Sequence, residues 1–140
     1  MHVLIYTDGG ARGNPGPAAA AYLIKLDSGE VLREGGVFLG NTTNNHAEYE
    51  AVKQALLALE ALIAKNQDKI HLISFYLDSK LVVEQLSGRF KIKNQNLIDQ
   101  AASIHNLLKK LAITTTFSYI PRAQNFEADA LVNQVLDSSI

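Results

Sequence analysis

The sequence has no cysteine and no tryptophan, its net charge is only −1, and it holds no long apolar run. Without cysteine, disulfides and thiolate metal sites are excluded. Near-neutral charge means that no global field drives the chain onto nucleic acid or an anionic membrane. Any polyanion binding has to come from local placement of basic side chains. No stretch approaches the ~18 apolar residues of a membrane helix, and the opening MHVLIYTDGG is too short an apolar run for a signal peptide. A cytoplasmic protein is therefore expected. With 140 residues, 47% of them hydrophobic and 19% charged, the chain fits one domain, residues 1–140, around a single core.

What is present reads as alternating strands and helices. Val3 to Thr7 is apolar at both alternating sets of positions, as a strand buried on both faces would be. Ala18 to Leu26 and Glu30 to Leu39 read as two further strands joined at Asp27-Ser28-Gly29. A helix is expected from about Asn45 to Ala64, with Val52, Ala55, Leu56, Leu59, Leu62 and Ile63 as its apolar stripe. Ile70 to Leu77 is a fourth strand, Ser79 to Leu86 and Asn94 to Leu111 two helices, Ile113 to Ile120 a fifth strand, and about Asn125 to Leu136 a closing helix. With no linker or repeat, the order predicts an α/β fold on a five-stranded mixed sheet. A helical connection between the first and fourth strands favours parallel pairing there.

Four carboxylates sit in unexpected places. Asp8 and Asp78 each follow a strand that reads as interior, and parallel neighbours would bring both to one edge of the sheet. At about 100° per residue, Val52, Ala55, Leu59 and Leu62 all fall within roughly 40° of Glu48, so Glu48 points along the buried stripe. A lone ionised carboxylate there would cost several kcal/mol, far more than the ~0.3–1 kcal/mol a helix dipole returns. Asp129 lies at the margin of the stripe formed by Ala128, Val132 and Val135. Singly, each has a plain structural explanation: Asp8 starts a turn, Asp78 caps the helix at Ser79, and Asp129 is a boundary surface residue. Together they are a cluster that repels itself unless divalent cations intervene. An all-oxygen donor set suits Mg²⁺ or Mn²⁺, and paired ions of this kind hydrolyse phosphodiesters. The glycine-rich YTDGGARGNPGP is neither a P-loop, since no Gly-Lys-Ser/Thr follows, nor a dinucleotide fingerprint, since its glycines have the wrong spacing. It remains a compact turn that leaves Asp8 at its base and lets a polymer backbone approach.

Thr7-Asp8-Gly9-Gly10 with Gly13-Asn14-Pro15-Gly16-Pro17, then Thr42-Thr43-Asn44-Asn45-His46-Ala47-Glu48, Leu77-Asp78-Ser79 and Asn125-x-x-x-Asp129 closely resemble the signatures of type 1 ribonuclease H. The resemblance runs from residue 7 to residue 129 in the family's order. It implies a ribonuclease H-like fold whose first three strands are antiparallel. It also implies an endonuclease that cuts the RNA strand of RNA–DNA hybrids, leaving 5′-phosphate and 3′-hydroxyl ends. By position, Asp8, Glu48, Asp78 and Asp129 match the family's catalytic, metal-binding carboxylates, with two ions expected alongside substrate and Asp8 bridging them. Gly9, Gly10, Asn14, Asn44 and Asn45 match hybrid-contacting positions, and Thr43 with Asn14 a seat for a DNA-strand phosphate. Backbone amides and short carboxamides can read the minor-groove 2′-hydroxyls that separate RNA from DNA.

Two departures stand out. Many members carry a histidine in the loop before the last helix. Here the loop is Pro121-Arg122-Ala123-Gln124-Asn125-Phe126, and His2, His46, His71 and His105 lie elsewhere. Arg122, and secondarily Gln124, are the candidates for part of that role. Some members also have a basic, tryptophan-containing protrusion. The counterpart here is Ser87 to Lys93, where Arg89, Lys91 and Lys93 alternate with Phe90 and Ile92. An extended segment would project those cations to one side for hybrid binding, while a solvated connector is the alternative. No segment reads as a separate hybrid-binding domain or calls for an obligate protein partner. A nuclease that also cuts double-stranded RNA, or a non-catalytic hybrid-binding module, are the other functions this pattern allows.

Overall fold

The computed structural model describes residues 1–66 and 69–139. Strands β1 (His2–Ala11), β2 (Gly16–Leu26) and β3 (Val31–Thr42) lead to helix α1 (Asn44–Asn66). Then come β4 (Leu72–Leu77), α2 (Lys80–Leu86), α3 (Gln95–Leu111), β5 (Thr114–Tyr119), a 3₁₀ turn (Arg122–Asn125) and α4 (Phe126–Ser138). The strands form one mixed sheet in the order β3-β2-β1-β4-β5. β1, β2 and β3 pair antiparallel, whereas β4 runs parallel to both β1 and β5. The expected elements are all present in the expected order.

The helix boundaries follow their capping chemistry. Ser79 lies just outside α2, and its Oγ accepts the Val82 amide at 3.3 Å. Asn94 does the same for α3, its Oδ1 accepting from Leu97 N at 3.2 Å. Each bond satisfies one of the amides a helix start leaves free. Because Ser79 is the cap, Asp78 is not spent on that task.

The larger core lies on the face that carries α1 and α3. It gathers Val3 and Ile5 of β1, Ile73, Phe75 and Leu77 of β4, and Tyr49, Val52, Leu56, Leu59 and Ile104 from the helices. α1 is buried over a wider arc than its stripe suggests, since Ala47, Tyr49, Ala51 and Ala58 are also enclosed. It packs on both the sheet and α3. The smaller core, on the opposite face, seats Val132 and Leu136 of α4 on Ala19 and Ala21 of β2. Burying one large aliphatic or aromatic side chain is worth ~1.5–3 kcal/mol, so these contacts fix where α1 and α4 lie on the sheet.

One boundary differs in a way that matters. β1 does not stop at Thr7; its ladder with β2 continues through Asp8↔Ala21, Gly9↔Ala20 and Gly10↔Ala19 to Ala11↔Ala18. Asp8 is therefore inside a strand rather than at the base of a turn, and the turn is shorter, ending where Arg12 N donates to Pro17 O at 2.8 Å. Glycines usually weaken a strand. Gly9 is needed here because α1 starts against it: a Cβ on Gly9 would sit 2.2 Å from the Ala47 carbonyl carbon.

That contact makes a stability prediction. Gly9→Ala must push α1 away from β1 and should cost about 1–3 kcal/mol, the usual range for overpacking. Urea unfolding checks it, and an unchanged midpoint would contradict the close approach of α1 to β1.

Candidate active site

The parallel ladder between β1 and β4 pairs Tyr6 with Tyr76. Two residues beyond that pair come Asp8, still within β1, and Asp78, just past the end of β4, so the register brings the two level. Glu48 arrives from the first turns of α1, where that helix rests on Gly9. One carboxylate oxygen from each of Asp8, Glu48 and Asp78 lies within 4.8 Å of the others. Asp129, on α4, lines the same cavity of about 520 Å³, as do Gly9, Gly10, Asn44 and Arg122.

Burial and repulsion act together here. Asp8 is 6% exposed and Glu48 7%. Burial, with the charges of Asp78 and Asp129 added, pushes Asp8 up to about 8. Burial also holds Glu48 well above the ordinary carboxylate range, helped by Asp8 and Asp78, against which the Gly9 amide and Arg122 give partial relief. Asp78 is raised by burial as well, with Asn125 and Arg122 opposing the shift. Such crowding favours protonation unless a cation replaces the lost solvation.

The residues fit a divalent cation. Glu48 Oε2 is buried and has no hydrogen-bond partner in the protein. A buried oxygen left unsatisfied beside two other carboxylates is the donor arrangement Mg²⁺ or Mn²⁺ takes, and the site offers only oxygen ligands. Asp129 stands beside Asp8 but outside the trio. Its Oδ1 accepts from Arg122 Nη2 at 3.3 Å and its Oδ2 from Asn133 Nδ2 at 3.4 Å.

The remaining sequence candidates divide into groups. Asn44 lines the carboxylate cavity, and its Oδ1 accepts the Ala11 amide at 2.8 Å. Asn14 Oδ1 accepts the Asn44 amide at 3.0 Å, and Thr43 Oγ1 accepts the His46 amide at 3.2 Å. Asn14, Thr43 and Asn45 line an adjoining cavity of about 260 Å³, closed on its other side by Asn94 and Asn96. Gln124 is exposed on the 3₁₀ turn and lines neither cavity.

The basic segment is not extended as expected. Gly88, with φ of 80°, turns the chain, and the amides of Arg89 and Phe90 both donate to Glu84 O. That curl brings Arg89 onto Glu84 in a two-bond pair at 2.7 and 3.0 Å, while Lys91 and Lys93 are exposed on irregular backbone. Arg89 thus does not stand beside the two lysines as a third free cation.

The histidines are all engaged away from the carboxylates. His2 meets Ser74, His46 meets Asn96, His71 meets the N-terminal amine and His105 the Leu86 carbonyl. Sequence reasoning gave Asn125 no role at the site, naming it only as the first residue of the Asn125-x-x-x-Asp129 signature and the start of the last helix. The signal was there: it lies three residues before Ala128 and seven before Val132, on the stripe that is buried, where a polar side chain needs partners. Arg12, which lines the cavity and pairs with Asp137 at 2.7 Å, was also missed.

A family model described as "Reverse transcriptase-like" matches residues 6–135. The chain is 37% identical over 147 aligned residues to "Bifunctional protein Rv2228c" of Mycobacterium tuberculosis, covering 99% of this chain but 36% of that protein's length. It is 38% identical to "Ribonuclease HI" of Halobacterium salinarum, covering 96% of this chain and 64% of that one. Among solved structures, LC11-RNase H1 in complex with RNA/DNA hybrid superposes with a TM-score of 0.92 at 38% identity, over 98% of each chain.

The electrostatics generate a pH prediction. An unfolded aspartate titrates near 3.8, whereas folded Asp8 keeps its proton up to about 8. Between those values the folded state binds more protons, so without cations stability falls as pH rises through that window. In EDTA, Asp8→Asn should therefore melt higher than the wild type at pH 8, by about 3–8 °C for a relief of roughly 1–2 kcal/mol. The gap should close towards pH 4. A variant no more stable than the wild type at pH 8 would contradict the crowding described.

Proposed function

This chain belongs to the type 1 ribonuclease H family, and from that premise we propose that it hydrolyses the RNA strand of RNA–DNA hybrids. Residues 1–140 are taken as one ribonuclease H domain, working as a divalent-metal-dependent endonuclease that leaves 5′-phosphate and 3′-hydroxyl ends. The observation that carries the reading is the buried, unpartnered Glu48 Oε2 beside Asp8 and Asp78. Such a group is costly in a structural role and useful in a cation site.

In this reading Asp8, Glu48, Asp78 and Asp129 hold two ions, Mg²⁺ or Mn²⁺. When bound, such ions acidify water and neutralise charge growing on the phosphate. Asp8 would be a ligand to both ions, Glu48 and Asp78 would help hold the one beside the leaving 3′-oxygen, and Asp129 the one that activates the attacking water. Hydrolysis would then release the water's proton to solvent and the 3′-oxygen as a hydroxyl once it has taken a proton up. Arg122, already paired with Asp129, lines the cavity and contacts the scissile phosphate region; Gln124 is the weaker candidate because it does not line the cavity.

Selectivity is assigned to the minor groove. Gly9 and Gly10 let the RNA backbone approach, and Asn14, Asn44 and Asn45 address 2′-hydroxyls and neighbouring base edges. Asn14 and Thr43, at the mouth of the second cavity, seat a DNA-strand phosphate. Lys91 and Lys93 add phosphate contacts that position without reading sequence. The hybrid bound to LC11-RNase H1 supports taking a hybrid as the substrate here.

One assay of labelled hybrid, RNA duplex and DNA duplex tests this. With Mg²⁺ or Mn²⁺ the hybrid should be cut, with EDTA or Asp8→Asn nothing should be, and Arg122→Ala should lose about tenfold in kcat, ~1.4 kcal/mol. Neutralising Lys91 and Lys93 should flatten the salt dependence of hybrid binding, each lost contact removing about one counterion. Hybrid cleavage that persists in EDTA or in Asp8→Asn would overturn the proposal, and cleavage of the RNA duplex would widen the substrate range.

A further inference from the structure

Asn125 is 1% exposed, at the junction of the 3₁₀ turn and α4. Its Nδ2 donates to the Thr7 carbonyl at 2.8 Å and to Asp78 Oδ2 at 3.2 Å. Both neighbours are acceptors only, so the amide nitrogen and not the oxygen has to face them. Thr7 immediately precedes Asp8 in β1, Asp78 directly follows β4, and Asp129 lies one helical turn beyond Asn125. A single amide group therefore joins the three elements that carry Asp8, Asp78 and Asp129.

We infer that Asn125 is a positioning residue for the divalent-cation site: it holds Asp78 by Oδ2, presents the carboxylate's other oxygen to the ion, and fixes the spacing of Asp78 from Asp8. This rests on the metal-dependent reading of the site above. A packing role alone would need only the bond to Thr7. The second bond goes to a carboxylate of the cluster and fixes which of its oxygens faces away from Asn125. Outer-shell partners of this kind typically change metal affinity by about 10–100-fold when removed. Aspartate at 125 would retain the shape but add a charge, which makes leucine the cleaner replacement.

The test is a Mn²⁺ titration of the protein without hybrid, followed by the paramagnetic resonance of the free ion. Asn125→Leu keeps the volume and removes both donors. It should bind Mn²⁺ about 10–100-fold more weakly than the wild type, and in the hybrid assay it should lose kcat while KM stays within about twofold. Asn125→Ala, which leaves room for a water in place of the amide, is measured beside it in case the leucine variant does not fold; it should show a smaller loss in the same direction. Circular dichroism and thermal melts establish which variants are folded at the titration temperature. A folded variant that binds Mn²⁺ within about twofold of the wild type overturns the inference. Failure of the underlying reading is distinguishable: the wild type itself would then leave the hybrid uncut, or take up no Mn²⁺.

Discussion

Asp8, Glu48 and Asp78 share a space with too little water to solvate three negative charges, and the surrounding architecture is arranged around that crowding. The parallel pairing of β1 with β4 sets two of the acids side by side. The third is brought in by α1, which can come so close only because Gly9 has no side chain where the helix backbone passes. α4, seated on the small residues Ala19 and Ala21, completes the wall with Asp129. Of the two guanidiniums that line the cavity, Arg12 is paired with Asp137 and Arg122 with Asp129, neither with the inner three. An arrangement so poorly neutralised from within is stable with its charges intact only when cations are supplied from outside.

Much of this was legible in the sequence, and the exceptions have physical causes. Glu48 could be placed because helical geometry is regular: its angular position against Val52, Ala55 and Leu59 points it inward, and it is 7% exposed. Asp8 and Asp78 could be placed level because both follow apolar strands whose pairing the connectivity favours. The end of β1 was not legible, because Gly9 and Gly10 read locally as breakers, and the need for Gly9 shows only in the approach of α1. The alternation of Arg89, Lys91 and Lys93 suggested an extended segment, but alternation says nothing about the turn at Gly88 or about Glu84 waiting across it. Asn125 was hidden for a related reason: its two partners, Thr7 and Asp78, are remote in sequence.

The approach to the cluster matters as much as the cluster. Asn14 Oδ1 accepts the Asn44 amide and Asn44 Oδ1 the Ala11 amide, while Thr43 Oγ1 accepts the His46 amide, so the β1–β2 turn and the start of α1 form one connected ledge. On that ledge short polar groups are held at fixed height with little entropy left to lose, which suits contact with a regular double helix more than with a flexible small molecule. Among the described residues, no lysine or arginine lines the cavity of Asn14 and Thr43. Phosphate binding there would depend on amides and hydroxyls, with Lys91 and Lys93 contributing from farther off. Charge balance at the acids and shape at the ledge are thus separate parts of the account, built from the same two strands and helix.

The central claim is that the three converging carboxylates are a cation site. It is tested most directly by anomalous diffraction from crystals of the protein soaked in Mn²⁺. The account predicts a peak within bonding distance, about 2.0–2.3 Å, of oxygens from Asp8, Glu48 and Asp78, with Glu48 Oε2 among the ligands. A cluster that stays empty at a Mn²⁺ concentration supporting hybrid cleavage, or an ion bound elsewhere in the cavity without Glu48, would contradict it.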